Sequence, residues 1–207
     1  MLLLYCLIFY LIGSIPTAYI LIKIKYGKNL SEEGSGNIGA RNTLDVTGSK
    51  ADGLIVLFSD LIKGLIPALL LINYADLGKW QMIIPLTLLV VGHNFSVWIK
   101  FKGGRGLATA AGVFIAADFV FVVLWLAFYF LADFFIKNAN VSTVISLLAI
   151  PAAVLIFPGP AVEYLNPVLG GGDDLFYCLT LFISIGTVIL LKHIEPLRQW
   201  RFINFQK

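Results

Sequence analysis

The chain has 207 residues, a formal net charge of +3, 59% hydrophobic residues and 13% charged ones. An ordinary soluble domain is ~25% charged. A mean hydropathy of +0.90 therefore excludes disorder and argues against a soluble globule. The two cysteines, Cys6 and Cys178, both lie in apolar runs, which excludes a disulfide-stapled scaffold.

A membrane-crossing helix needs ~20 mostly apolar residues. The chain reads as a single all-α polytopic membrane domain over residues 1–207. The apolar runs predict seven helices, at 1–22, 53–72, 82–99, 107–117, 119–136, 141–157 and 175–191. The first has no basic n-region and no small-residue cleavage site, so it reads as a retained span rather than a signal peptide. Strands are not expected. An open sheet edge cannot face lipid, and the runs are too long and continuous for barrel strands.

Seven spans place the termini on opposite sides. Thirteen of the fifteen basic residues then share one side, in the first loop, the loop before the short helix, the fifth–sixth connection and the tail. Lys79 lies opposite and Lys63 lies inside the second helix. The opposite-side loop at 158–174 carries Glu163, Asp173 and Asp174 and no Lys or Arg. The positive-inside rule puts the N-terminus outside and the C-terminus in the cytoplasm. The basic residues form no nucleic-acid-binding stripe. The helix at 107–117 is the odd element. Eleven residues at ~1.5 Å each cover about half the hydrocarbon thickness. It reads either as a broken helix that builds a binding site or as a tilted span.

Three polar islands fall on the basic side. The first runs Gly34-Ser35-Gly36-Asn37-Ile38-Gly39-Ala40-Arg41-Asn42-Thr43. Its glycines let amides converge on an anion. Ser35, Asn37 and Asn42 add neutral donors, and Arg41 adds a bidentate cation for phosphate. The second is Lys100-Phe101-Lys102-Gly103-Gly104-Arg105-Gly106-Leu107-Ala108-Thr109, a basic glycine turn running into a helix start. Orphan amides and the helix dipole favour a phosphate there, although the nucleotide P-loop pattern is not matched. The third is Lys192-His193-Ile194-Glu195. His93, in Gly92-His93-Asn94, is expected near the same side. Asp60 and Lys63 share a face of the second helix, either as a salt bridge that fixes packing or with Lys63 lining an anionic site. No metal or cofactor is implied, since no Cys pair or helical His pair has ligand spacing. Trp98 and Arg198 occupy the places where a His-x4-Asp acyltransferase signature would need Asp.

Taken together, these islands resemble the acyl-phosphate-dependent glycerol-3-phosphate acyltransferases of bacterial inner membranes, the PlsY family. The matches include Gly13-Ser14-Ile15-Pro16, the run from Gly34 to Ala40, Asp60-Leu61-Ile62-Lys63-Gly64 and Pro67. The strongest runs from Gly92-His93-Asn94-Phe95 through Phe101 to Ala110. The resemblance implies a seven-helix fold and a site on the cytoplasmic side. It also implies transfer of a fatty acyl group from acyl phosphate to glycerol 3-phosphate, giving lysophosphatidate and phosphate. Lys102, Arg105 and the amides of Gly103, Gly104 and Gly106 would hold one phosphate. Arg41, Ser35, Asn37 and His193 would hold the other, with Asn42 among the phosphate ligands and Lys63 and His93 in support. The base would be His193 or a substrate phosphate oxygen. Ser35 is not expected to be a covalent nucleophile, because no base adjoins it. The acyl chain would lie in an apolar groove open to membrane lipid.

The chain departs from the family pattern at three places. The family usually has Thr at the position of Arg41 and Arg at that of Asp45, so Arg41 is expected to stand in for the displaced cation. Arg105 replaces a Lys. Pro196 and Gln199 replace an Asn and an Arg of the C-terminal motif. A transporter or flippase of an anionic lipid or organic phosphate, and a non-catalytic paralogue, are the alternative readings.

Overall fold

The first apolar run is not one helix. It forms α1 (Leu2–Ser14) and α2 (Thr17–Tyr26), broken at Pro16. Proline has no N–H to donate and disfavours helical geometry in the residue before it, so the ladder stops there. The computed structural model describes residues 1–156 and 174–205, and every described element is helical or irregular. The loop expected at 158–174 lies outside the described residues, apart from Asp174. The remaining helices are α3 (Ala40–Thr47), α4 (Lys50–Tyr74), α5 (Lys79–Asn94), α6 (Leu107–Ala117), α7 (Val120–Ile136), α8 (Ala139–Ile156), α9 (Asp174–Leu191) and α10 (Ile194–Phe205). Single 3-10 turns occupy Leu30–Glu32 and Val97–Ile99.

The short helix at 107–117 forms where it was expected, and the fifth and seventh apolar runs match α7 and α9 to within a residue at each end. Besides the break at Pro16, three features differ from the expectation. The third run ends as helix at Asn94, not at 99, because the chain turns there to start the glycine segment. The second half of the first polar island is the helix α3. An additional helix, α10, follows the last span. Among the described residues, four helical stretches are long and apolar enough to cross a membrane: Leu2–Tyr26, Lys50–Tyr74, Lys79–Ile99 and Ala139–Ile156. Large apolar side chains stand exposed along α1 (Leu3, Leu7), α4 (Phe58, Ile66) and α7 (Phe130, Phe134). Exposed apolar bands of this extent mark a surface that meets lipid.

Two compact units divide the chain, Met1–Ala116 and Ala117–Lys207. In the first, α1 packs chiefly on α5. A Cβ at Gly13 would strike the Leu89 carbonyl, and one at Gly92 the Tyr10 carbonyl, so the two backbones cross in contact. Gly64 of α4 and Gly112 of α6 do the same against the Thr109 and Leu61 carbonyls. Small residues at crossings let membrane helices gain dispersion contacts that lipid would otherwise supply. A buried cluster of Ala18, Ile22, Leu30, Ile38 and Val56 seats the first glycine turn on α2 and α4. Lys25 and Tyr26 bond Asp52 from 2.7 and 2.5 Å, tying the end of α2 to the start of α4. In the second unit α7 packs on α8, with Ser142 Oγ donating to Asp133 Oδ1 at 3.1 Å.

Candidate active site

The two glycine-rich turns meet in the first unit. The Ile38 N–H donates to the Gly103 carbonyl at 3.4 Å, and the Gly104 N–H donates to the His93 carbonyl at 3.1 Å. Gly104 is wedged between the Ile38 carbonyl and Nε2 of the His93 ring, where a Cβ would overlap both. Glycine is needed here for close approach. Gly106, by contrast, sits at φ +83°, a left-handed turn that aims the chain into α6. Lys100 and Phe101 also hold positive φ, at 57° and 59°.

Asn42 organises the first turn from within. Its Oδ1 accepts the Ser35 N–H at 2.9 Å, and its Nδ2 donates to the carbonyls of Asn37 at 2.9 Å and Glu33 at 3.1 Å. It is 1% exposed, so its amide shapes the backbone rather than reaching outward. Ser35 is exposed and Asn37 half-buried. Arg41 stands on the first turn of α3, with Nε 4.0 Å from Asp45 Oδ2 across one helical turn. Both side chains are largely exposed, so this pair holds Arg41 loosely.

Arg105 is half-buried and Lys102 exposed. Burial, and then the positive charge of Arg41, hold the Arg105 guanidinium below its ordinary value. Two guanidinium groups close enough to feel each other form an electrostatic setting that an anion relieves.

Beneath the turns lies a polar network made by the Pro16 break. The carbonyls of Ser14 and Ile15 lose their helical partners there. Ser96 Oγ donates to Ser14, and Lys63 Nζ donates to Ile15 at 3.0 Å. Lys63 also donates to Asp60 Oδ1 at 2.9 Å and lies 3.0 Å from His93 Nδ1. Thr17 Oγ1 donates to Asp60 Oδ1 at 2.7 Å. Lys63 thus bridges the packing partner Asp60 and the ring under the glycine turn. Thr17 was not singled out from sequence; its place directly after the Pro16 break is the signal that marks it.

His193 belongs to the second unit, at the junction of α9 and α10. It is 1% exposed, with Nδ1 2.8 Å from the Ile189 carbonyl. A carbonyl only accepts, so Nδ1 carries a proton, and in a neutral ring the lone pair is then on Nε2. The neighbouring Lys192 is held below its ordinary value by burial. Among the described residues no cluster of His, Cys, Asp or Glu could hold a metal.

The family model for glycerol-3-phosphate acyltransferase matches residues 3–201. The chain belongs to that family. It is a membrane acyltransferase of phospholipid synthesis. Among its relatives is the glycerol-3-phosphate acyltransferase of Syntrophotalea carbinolica, 32% identical over 92% of this chain and 89% of that one. Another is the enzyme of the same name from a Wolbachia of Brugia malayi, 40% identical over 68% of this chain and 74% of that one. The crystal structure of PlsY, an integral membrane glycerol 3-phosphate acyltransferase, in its glycerol 3-phosphate form superposes with a TM-score of 0.78 at 27% identity. It covers 97% of this chain and 92% of that one.

Proposed function

We propose that this acyltransferase takes its acyl group from an acyl phosphate and delivers it to a hydroxyl of glycerol 3-phosphate, at the cytoplasmic face of a bacterial inner membrane. In this reading all seven apolar helices enter the bilayer, with the N-terminus outside and the C-terminus inside. The positive-inside distribution of basic residues supports that orientation. The observation that carries the reading is the junction of the two glycine turns, where the Ile38 N–H bonds the Gly103 carbonyl and the charge of Arg41 is felt by Arg105. Both substrates are phosphates, and guanidinium groups beside backbone amides suit such anions.

The amides of Gly103 and Gly106, with Arg105 and Lys102, bind one phosphate, while the Gly104 N–H, expected from sequence to join them, is spent on the His93 carbonyl. Arg41, Ser35 and Asn37 bind the other, while Asn42 shapes the turn below them. The hydroxyl oxygen attacks the acyl carbon, the acyl–oxygen bond to phosphorus breaks, and phosphate leaves with the electron pair. An acyl phosphate is already activated, so positioning and electrostatics supply most of the rate. The hydroxyl proton passes to a substrate phosphate oxygen or to His193, the base that the family's C-terminal motif implies. The acyl chain lies in the apolar cleft of about 340 Å³ lined by Ile15, Pro16, Tyr19, Ile20, Trp98 and Ile99, beside the Pro16 break.

The test is to give the purified protein labelled glycerol 3-phosphate with acyl phosphate or with acyl-CoA, and to measure lysophosphatidate. Product from acyl phosphate alone is expected; equal use of acyl-CoA overturns the donor assignment. Arg41→Ala should lower kcat/KM by roughly ten- to a hundredfold or more, the loss of a hydrogen bond to a charged group. Moving the cation with Arg41→Thr and Asp45→Arg together should restore it. Near-normal turnover by Arg41→Ala would refute the stand-in role.

A further inference from the structure

Lys63 is 8% exposed and its ammonium has three protons, which meet three acceptors: the Ile15 carbonyl, Asp60 Oδ1 and His93 Nδ1. An ammonium donates and never accepts. His93 Nδ1 also stands 3.6 Å from Asp60 Oδ1, but at the shorter Lys63 contact it accepts, and the ring proton sits on Nε2. That same Nε2 lies against Gly104, whose N–H is bonded to the His93 carbonyl. Gly104 is thus bonded to His93 through the main chain and bounded by its ring, which fills the place a Cβ would take.

We propose that Lys63 is a positioning residue: its ammonium fixes His93 as an Nε2–H donor against Gly104, and so holds the second glycine turn in the shape that takes a phosphate. The proposal rests on the reading of that turn as a phosphate site. A buried ion pair gives less stability than a well-packed apolar pair of the same size. Packing between α4 and its neighbours does not by itself call for Asp60 and Lys63. A fixed tautomer does. With an apolar residue at 63, Nδ1 would lose its donor, and the proton could move to Nδ1 and turn the ring's lone pair on the turn. Thr17 completes the device by holding Asp60 Oδ1 from the far side of the helix break, at 2.7 Å.

The experiment is 15N spectroscopy of the full chain labelled at histidine, with His193→Asn used to assign the two rings, alongside steady-state kinetics and titration with inorganic phosphate. In the wild type, His93 should show a protonated Nε2 and a bare Nδ1. Lys63→Met should give mixed tautomers. Its phosphate affinity should fall, and its KM for a phosphate substrate rise, roughly ten- to a hundredfold, the loss of one hydrogen bond to a charged group. kcat should move much less. Lys63→Arg keeps a donor and should recover the single tautomer. His93→Gln places an amide N–H near the Nε2 position and should bind phosphate better than His93→Asn, which does not reach it. The proposal is overturned by an Nδ1–H ring in the wild type, by an unchanged tautomer in Lys63→Met, by a loss confined to kcat, or by equal damage from Gln and Asn at 93. If the wild type fails to use acyl phosphate, the donor assignment falls, while the spectra and the phosphate titration still decide this proposal.

Discussion

His93 and His193 sit at the C-terminal ends of α5 and α9, and both are buried, yet their Nδ1 atoms face opposite chemistry. At His93 Nδ1 meets the Lys63 ammonium at 3.0 Å, so Nε2 carries the proton. At His193 Nδ1 meets the Ile189 carbonyl at 2.8 Å, so Nδ1 donates and a neutral ring has its lone pair on Nε2. The same side chain is thereby made a donor in one unit and an acceptor in the other. What faces the inner nitrogen, rather than the ring itself, decides what the outer nitrogen offers. A donor suits the holding of a phosphate, and an acceptor suits the removal of a hydroxyl proton.

The sharpest way to break this contrast is to place the same amide at both positions. At 193, an amide cannot take up a proton. His193→Gln and His193→Asn should both cut kcat by roughly 10²- to 10⁴-fold, the usual range for general-base loss. Near-normal kcat in either variant would remove His193 from proton transfer and dissolve the comparison. Second in size is Gly104→Ala, which drives a methyl into the His93 ring and the Ile38 carbonyl. Overpacking of that kind costs about 1–3 kcal/mol. It should raise KM for phosphate substrates and lower the melting temperature in detergent, and unchanged values for both would show that the two turns are not pressed together.

The smallest effect sets a control away from both rings. Asp118 is 1% exposed, and while its Oδ1 accepts the Val120 N–H, its Oδ2 has no hydrogen-bond partner among the described residues. Burial raises its carboxyl above the ordinary value. The folded protein then holds this proton more tightly than the unfolded chain does. The stability contribution is therefore fully present at pH values below the ordinary carboxyl range and declines as pH rises through the raised value. Asp118→Asn keeps the Oδ1 acceptor, so it should flatten that part of the melting-temperature profile and leave KM for phosphate substrates unchanged. A profile parallel to the wild type would show that Asp118 does not titrate in this way.

Particular residues show which parts of the site were legible beforehand. The short helix at 107–117 and the glycine turn that opens it could be read directly, because an apolar run and a Gly-Arg-Gly start are local features. The four-residue spacing of Arg41 and Asp45 puts them on one face once the stretch is helical, and they stand one turn apart on α3. Asn42 looked like one more outward donor. Its burial under Ser35 and Asn37 depends on how the chain folds back over it, which no spacing reports. The break at Pro16 was hidden for a related reason. Hydropathy averages over the run, while Ser14 and Ile15 have their carbonyls satisfied by residues 82 and 48 positions away.

By itself the sequence determined that this is a helical membrane protein with basic, glycine-rich turns suited to phosphate, because apolar run length, charge sidedness and glycine content each act locally and add along the chain. Only the tertiary structure decided that the two turns touch, that Asn42 faces inward, and that the two histidine Nδ1 atoms face opposite partners. Each of those outcomes is a pairing between distant groups, and hydrogen-bond direction is set by the partner that packing supplies.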